Sequence, residues 1–177
     1  MVSVVVMSKE KTMAERAKRI EITTVFKKCR INDLSTAVTM LLYGRKDSRL
    51  RAKTTNQIVF ERRQKIDGAL RTLLQMADSS ITERQVPYEQ VVDFDRERES
   101  FTVQGSCTLH QYRLDVTVMY RQDKQNVICK GLIVLSGVRN KAARELAATF
   151  IINEFKRCRK EEACEWNKML KRKPTTK

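Results

Sequence analysis

Three segments that alternate apolar and polar residues lie between two stretches with helical spacing, and this order constrains the chain more than any other feature. In "VPYEQVVDFD" (86–95), Tyr88, Val92 and Phe94 fall on one side and Asp93 and Asp95 on the other. That is the two-residue period of a strand with one wet face. Pro87 suits a strand start, since it cannot donate to a ladder. "QYRLDVTVMYR" (111–121) sets Tyr112, Leu114, Val116 and Val118 on one face, "RQDKQN" reads as a hairpin connection, and "NVICKGLIVL" (126–135) as a third strand. Upstream, "IVFERRQKIDGALRTLLQMA" (58–77) repeats apolar residues at Ile66, Ala69, Leu70, Leu73, Leu74 and Ala77, which predicts a helix. Gly68 within it costs roughly 1 kcal/mol relative to alanine. A last helix begins near Val138 and runs past Phe155 towards Trp166. The spacing thus predicts an α+β domain over residues 57–157, ordered α-β-β-β-α, with a three-stranded antiparallel sheet packed on two helices.

Residues 1–56 read as a basic, helical extension and linker. "KEKTMAERAKRIEITTVFKKC" (9–29) predicts a basic helix, against the β-branched run at 22–25. Asp33 caps a short helix, "LSTAVTMLLYG", that Gly44 stops, and "RKDSRLRAKTTNQ" (45–57) is polar enough for a linker. Residues 158–177 form a basic helix end and tail. The 36 Lys and Arg against 21 acids give a net charge of +15, which makes nucleic acid the first partner class to consider. The excess sits in the two flanks, and residues 57–152 are nearly neutral.

Other classes fall away. No apolar run approaches the ~20 residues needed to span a bilayer, so no membrane partner is expected. "MVSVVVM" lacks the charged leader of a secretory signal. An intracellular protein is expected, in nucleus or cytoplasm, with "KRKP" (171–174) favouring the nucleus. Five cysteines without a CxxC pair read as reduced thiols, and one histidine leaves few zinc ligands. "DFDRERE" (93–99) alternates Asp93, Asp95, Glu97 and Glu99, a set that could line a strand face and meet a divalent ion, but a solvated face needs nothing more and no metal is expected. There is no phosphate loop, HExxH or nucleophile elbow, so neither catalysis nor a cofactor is expected.

The last helix opens with "GVRNKAARELAATF" (137–150). Ala143, Leu146, Ala147, Phe150 and Ile151 share one face, while Arg139, Lys141 and Arg144 crowd the entrance, where cations oppose the helix dipole. Together with the element order, this stretch resembles the second helix of the double-stranded-RNA-binding domain family. The family pattern GxSKKxAKxxAA is matched at Gly137, Lys141, Ala143, Arg144, Ala147 and Ala148, with Arg139 and Asn140 replacing a serine and a lysine. "LRTLLQ" (70–75) resembles the family's first helix, with Thr72 in place of its acid, and "TLHQYRLDV" the loop and second strand.

The resemblance implies a non-catalytic protein that reads the shape of an RNA duplex across two minor grooves. Lys141 and Arg144, with Arg139 and Asn140, would meet phosphates. Arg71, Thr72 and Gln75 would meet one minor groove, and His110 the other. The rival expectation is the same fold used as a homodimer or protein-interaction module, which the near-neutral centre, Asn140 and Thr72 favour. A third is binding to nucleic acid through the basic flanks.

Overall fold

The computed structural model describes residues 2–9, 17–66 and 68–172. The chain runs β1 (Val2–Lys9), β2 (Ala17–Phe26), α1 (Ile31–Tyr43), β3 (Ser48–Lys53), β4 (Gln57–Lys65), α2 (Gly68–Ala77), β5 (Gln85–Asp95), β6 (Ser100–Leu109), β7 (Tyr112–Asp123), β8 (Asn126–Ser136) and α3 (Lys141–Arg172). The strands form one eight-stranded sheet in the order β1-β2-β8-β7-β6-β5-β4-β3, every neighbouring pair antiparallel.

The three-stranded sheet expected from the sequence is therefore corrected to eight strands, and the helical extension is corrected with it. Residues 17–26 are strand because Ile20, Ile22, Thr24 and Phe26 alternate into the core, and their β-branched neighbours suit a pleated surface. The basic helix expected over 9–29 is absent from 17–26, and its residues 10–16 lie outside the described ones. The expected linker over 45–57 holds β3, hairpinned onto β4. The helix expected over 58–77 begins only at Gly68. Ile58 and Phe60 point inward from β4 at strand period, and a helical stripe seen from Ile66 onward does not reach back over them. Residues 96–109, between the first and second strands expected from the sequence, are largely β6. Helix α1 ends at Gly44 as the spacing predicts, but Arg30 occupies its N-cap position and Asp33 lies within its first turn.

Register places inward side chains in rows across the sheet. One row runs Ile22, Gly131, Val118, Val103, Val92 and Ile58. On one side of it lies an aromatic row in which Phe101 stacks on Tyr120 with centroids 4.2 Å apart. Helix α1 packs Leu34 and Val38 into the same core.

Helix α3, about 48 Å long at 1.5 Å per residue, packs against α1, α2 and the β2 side of the sheet. Its buried face carries Ala147, Ala148, Phe155, Arg159 and Glu162. Close approach depends on Gly131: a Cβ there would lie 2.4 Å from Cζ of Phe155. The ring fills the space that a side chain would need. A second, smaller core gathers Leu70 and Leu74 of α2, Leu109 and Tyr112 beside the β6–β7 turn, and Val138 and Ala147 near the start of α3.

Candidate functional site

On the other side of the row through Gly131, the inward residues change character. The next row reads Ile20, Ile133, Val116, Gly105, Gln90 and Phe60. The one after it ends Leu114, Cys107, Tyr88 and Arg62. Gly105, Gln90, Cys107 and Arg62 interrupt the apolar rows over β4, β5 and β6, and α3 does not fill the space above them. The result is a cavity of about 400 Å³ between the sheet and α3, with α1 and α2 at its margin. Gly105 shapes it. A Cβ on Gly105 would sit 1.8 Å from the Tyr88 hydroxyl, so the glycine is what lets the Tyr88 ring lie across β6.

Two polar clusters face this space. In the first, the Tyr120 hydroxyl donates to Glu162 Oε1 and Oε2 at 2.9 and 3.0 Å. Arg159 pairs with Glu162 through Nη2 at 2.7 Å, donates from Nη1 to the Tyr120 oxygen, and reaches Cys129 Sγ at 3.6 Å. All of this is buried. Burial pushes the Glu162 carboxyl up to about 7 against the pull of Arg159, and raises the Cys129 thiol well above its ordinary range.

The second cluster is less complete. The Arg62 guanidinium lies over the Tyr88 ring, 4.5 Å from its centroid. Its Nε and Nη1 are buried without a hydrogen-bond partner, as is Gln90 Oε1. Burial first, and Arg45 second, lower the pKa of Arg62, while burial pushes Tyr88 up to about 12. At the rim, Arg45 pairs with Glu161 at 3.6 Å, and Arg157 pairs with both Glu154 and Glu161.

The residues expected to read RNA sit elsewhere, around the smaller core. Arg71, Thr72 and Gln75 are on α2, His110 is on the β6–β7 turn, and Arg139, Asn140, Lys141 and Arg144 are at the start of α3. The fold does bring these elements to one end of the molecule. Several of the side chains are spent on local structure. Asn140 Oδ1 accepts from the Ala143 N–H at 3.0 Å, an N-cap bond for α3. Thr72 donates to Gly68 O, Gln75 Nε2 to Ile81 O, and Arg144 Nη1 to Val138 O. His110 Nε2 lies 2.8 Å from Glu83 Oε1. Arg139 and Lys141 are exposed.

In the acidic stretch, Asp93 accepts from Gln57 and Asp95 from the Arg98 N–H. Among the described residues, no group of three metal-ligating side chains converges.

Sequence reading missed Arg62, Gln90, Tyr120, Arg159 and Glu162. A signal existed for three of them. Gln90 shares the strand face of Tyr88 and Val92, and Arg159 and Glu162 follow Phe155 at four and seven residues, on its helix face. Polar residues at core positions mark sites of this kind.

No family model matches the chain, and no curated protein matches it. Solved structures do. The aromatase/cyclase ZhuI from Streptomyces sp. R1128 superposes with a TM-score of 0.58 at 8% identity, covering 87% of this chain and 96% of that one. Human STARD10 gives 0.53 at 6% identity, covering 96% and 76%. A truncated norcoclaurine synthase from Thalictrum flavum gives 0.52 at 10%, covering 91% and 98%.

The resemblance to a double-stranded-RNA-binding domain is thereby overturned, and duplex RNA as partner with it. The α-β-β-β-α segment is the C-terminal part of a larger sheet-and-helix fold, and the interaction-module rival rested on the same mistaken domain. In architecture, an antiparallel sheet with a long C-terminal helix across it, this chain has a START/Bet v1-like fold.

Proposed function

We propose that the protein binds a small, largely apolar molecule in the cavity beneath α3, without transforming it. The observation that carries this reading is the cavity itself. Protein interiors pack as densely as organic crystals, and the voids they leave are mostly no larger than a water molecule. A space of about 400 Å³ is within the usual range for small-molecule sites, and its apolar walls carry a few convergent polar groups. Two of the similar structures bear enzyme names. Here the acids lining the cavity are engaged: Glu162 has both oxygens held by Tyr120, and Glu154 and Glu161 pair with Arg157. That supports binding over turnover.

The test is a titration with aminoanthracene, an uncharged dye that brightens in apolar surroundings. Saturable binding at one site is expected. Val116 projects into the hollow from the centre of β7. Val116→Phe should weaken dye binding by ~10-fold or more, while the thermal midpoint stays within a few degrees, because the added ring fills space that is already open. Absence of saturable binding by the wild-type chain, or an undiminished affinity in the variant, would remove the cavity as the site.

A further inference from the structure

We infer that the cavity takes an amphipathic anion, an apolar tail bearing an acidic oxygen head group, with Arg62 as the residue that holds the head. This rests on the cavity being a binding site and adds the chemistry of what enters it.

The first argument is a count of charges. Of the four cations on the cavity wall, Arg45 has Glu161 and Arg159 has Glu162. Glu154 and Glu161 are further engaged by Arg157. No acid among the described residues forms an ion pair with Arg62 or Lys65; Asp47 and Glu154 act on Arg62 only at longer range. A guanidinium has five N–H donors and no way to neutralise itself by losing a proton. Leaving two of its nitrogens buried without an acceptor is unfavourable. The Tyr88 ring beneath it offsets part of the charge through its π face but accepts no in-plane hydrogen bond. Nε and Nη1 lie on opposite edges of the guanidinium, so an anionic oxygen beside either one satisfies it with a charge-assisted hydrogen bond.

The second argument is position. Arg62 lies at the boundary between the cavity and a basic depression on the β3–β4 surface, to which Lys46, Arg49, Arg63 and Lys65 contribute. It faces apolar walls on one side and a positive field on the other. Gln90 is its diagonal neighbour across the β4–β5 pair, within reach of the same head group. Rotation of the Gln90 amide offers either its free oxygen to a ligand hydroxyl or its N–H to a ligand anion. At ~30 Å³ per water-sized group the cavity has room for about a dozen such groups. A single chain of dodecyl length fits that size.

The experiment displaces aminoanthracene from the full-length protein with dodecanoate, dodecyl phosphate and dodecanol. These share a tail and differ only in the head. The anions are expected to compete at least ~10-fold more tightly than the alcohol, the range for a charge-assisted hydrogen bond, and their relative strength decides between a carboxylate and a phosphate head. Arg62→Met should weaken the anions at least ~10-fold more than it weakens the alcohol. Arg62→Lys, which keeps the charge without the planar array of donors, should fall between. Equal competition by acid and alcohol in the wild type, a measurement that needs no variant, overturns the inference while leaving the cavity reading intact. Equal weakening of all three ligands by Arg62→Met overturns it as well. If neither the dye nor any chain binds, both readings fail.

Discussion

Above about pH 7, where its carboxyl is ionised, replacement of Glu162 by leucine should destabilise the fold by ~3–5 kcal/mol, the cost of breaking a buried ion pair from one side. Arg159 would keep its charge at 6% exposure, with the Tyr120 oxygen and the Cys129 sulfur as its remaining partners. At ~2–4 °C per kcal/mol for a chain of this size, the thermal midpoint should drop by roughly 10 °C. The double replacement Arg159→Met/Glu162→Leu should recover most of that loss, because two desolvated charges disappear together. Urea denaturation of the two single variants and the double variant measures the coupling. A double variant as unstable as the sum of the singles would mean that the pair is not what holds the cluster together.

The same carboxyl gives the fold a pH dependence whose sign is fixed by its raised pKa. Between the ordinary 4.5 of the unfolded chain and about 7 in the folded one, the native state holds a proton that the unfolded state has released. The stability that this proton contributes is fully present below 4.5, is lost as pH rises to about 7, and is constant above. Other carboxylates, such as Glu154, shift the opposite way. The comparison must therefore be with Glu162→Gln, which keeps the shape and removes the titration. Wild-type stability relative to that variant should increase by on the order of 1–3 kcal/mol as pH is lowered from about 7 towards 5. A constant difference across that range would show that Glu162 stays ionised in the fold.

Phe155→Ala is the second large effect expected, ~3–5 kcal/mol from truncating a buried aromatic. The ring seats α3 on the sheet by occupying the place of the missing Gly131 side chain, and it lies 4.7 Å from the Arg159 guanidinium. Gly131→Ala alone should cost about 1–3 kcal/mol, since the new methyl would enter the ring's space and α3 must yield. Combining the two changes should cost less than their sum, because the methyl then occupies part of the vacated volume. Strict additivity would mean that the helix is seated by other contacts.

How much of this was legible beforehand depended on how each element buries its side chains. β5, β7 and β8 were readable because one face of each is apolar and packed while the other is wet. Helix α3 was readable because small residues recur on its packed face. β4 was hidden: Arg62 and Gln64 stand at inward positions, so its alternation stops after Phe60. β3 was hidden because it is an edge strand, with nearly every residue exposed. The polar residues that obscured β4 are ones that line the cavity, so the site itself disguised the element that carries it. The match of residues 137–148 to an RNA-binding helix was real as a pattern. Its alanines serve packing in either fold, and its asparagine caps the helix, so the pattern did not discriminate.

Local patterning by itself determined three strands, two helix ends and the packed face of the last helix, because two-residue and 3.6-residue periods are properties of adjacent side chains. Sheet order was decided only in three dimensions. β2 pairs with β8 across more than a hundred residues, and β3 and β4 extend the other edge, so what looked like a complete domain is part of a wider sheet. The cavity belongs to that same level. It exists where rows drawn from six strands turn small or polar on β4, β5 and β6, beneath a helix seated by Phe155 on Gly131, and no single stretch of sequence contains a row.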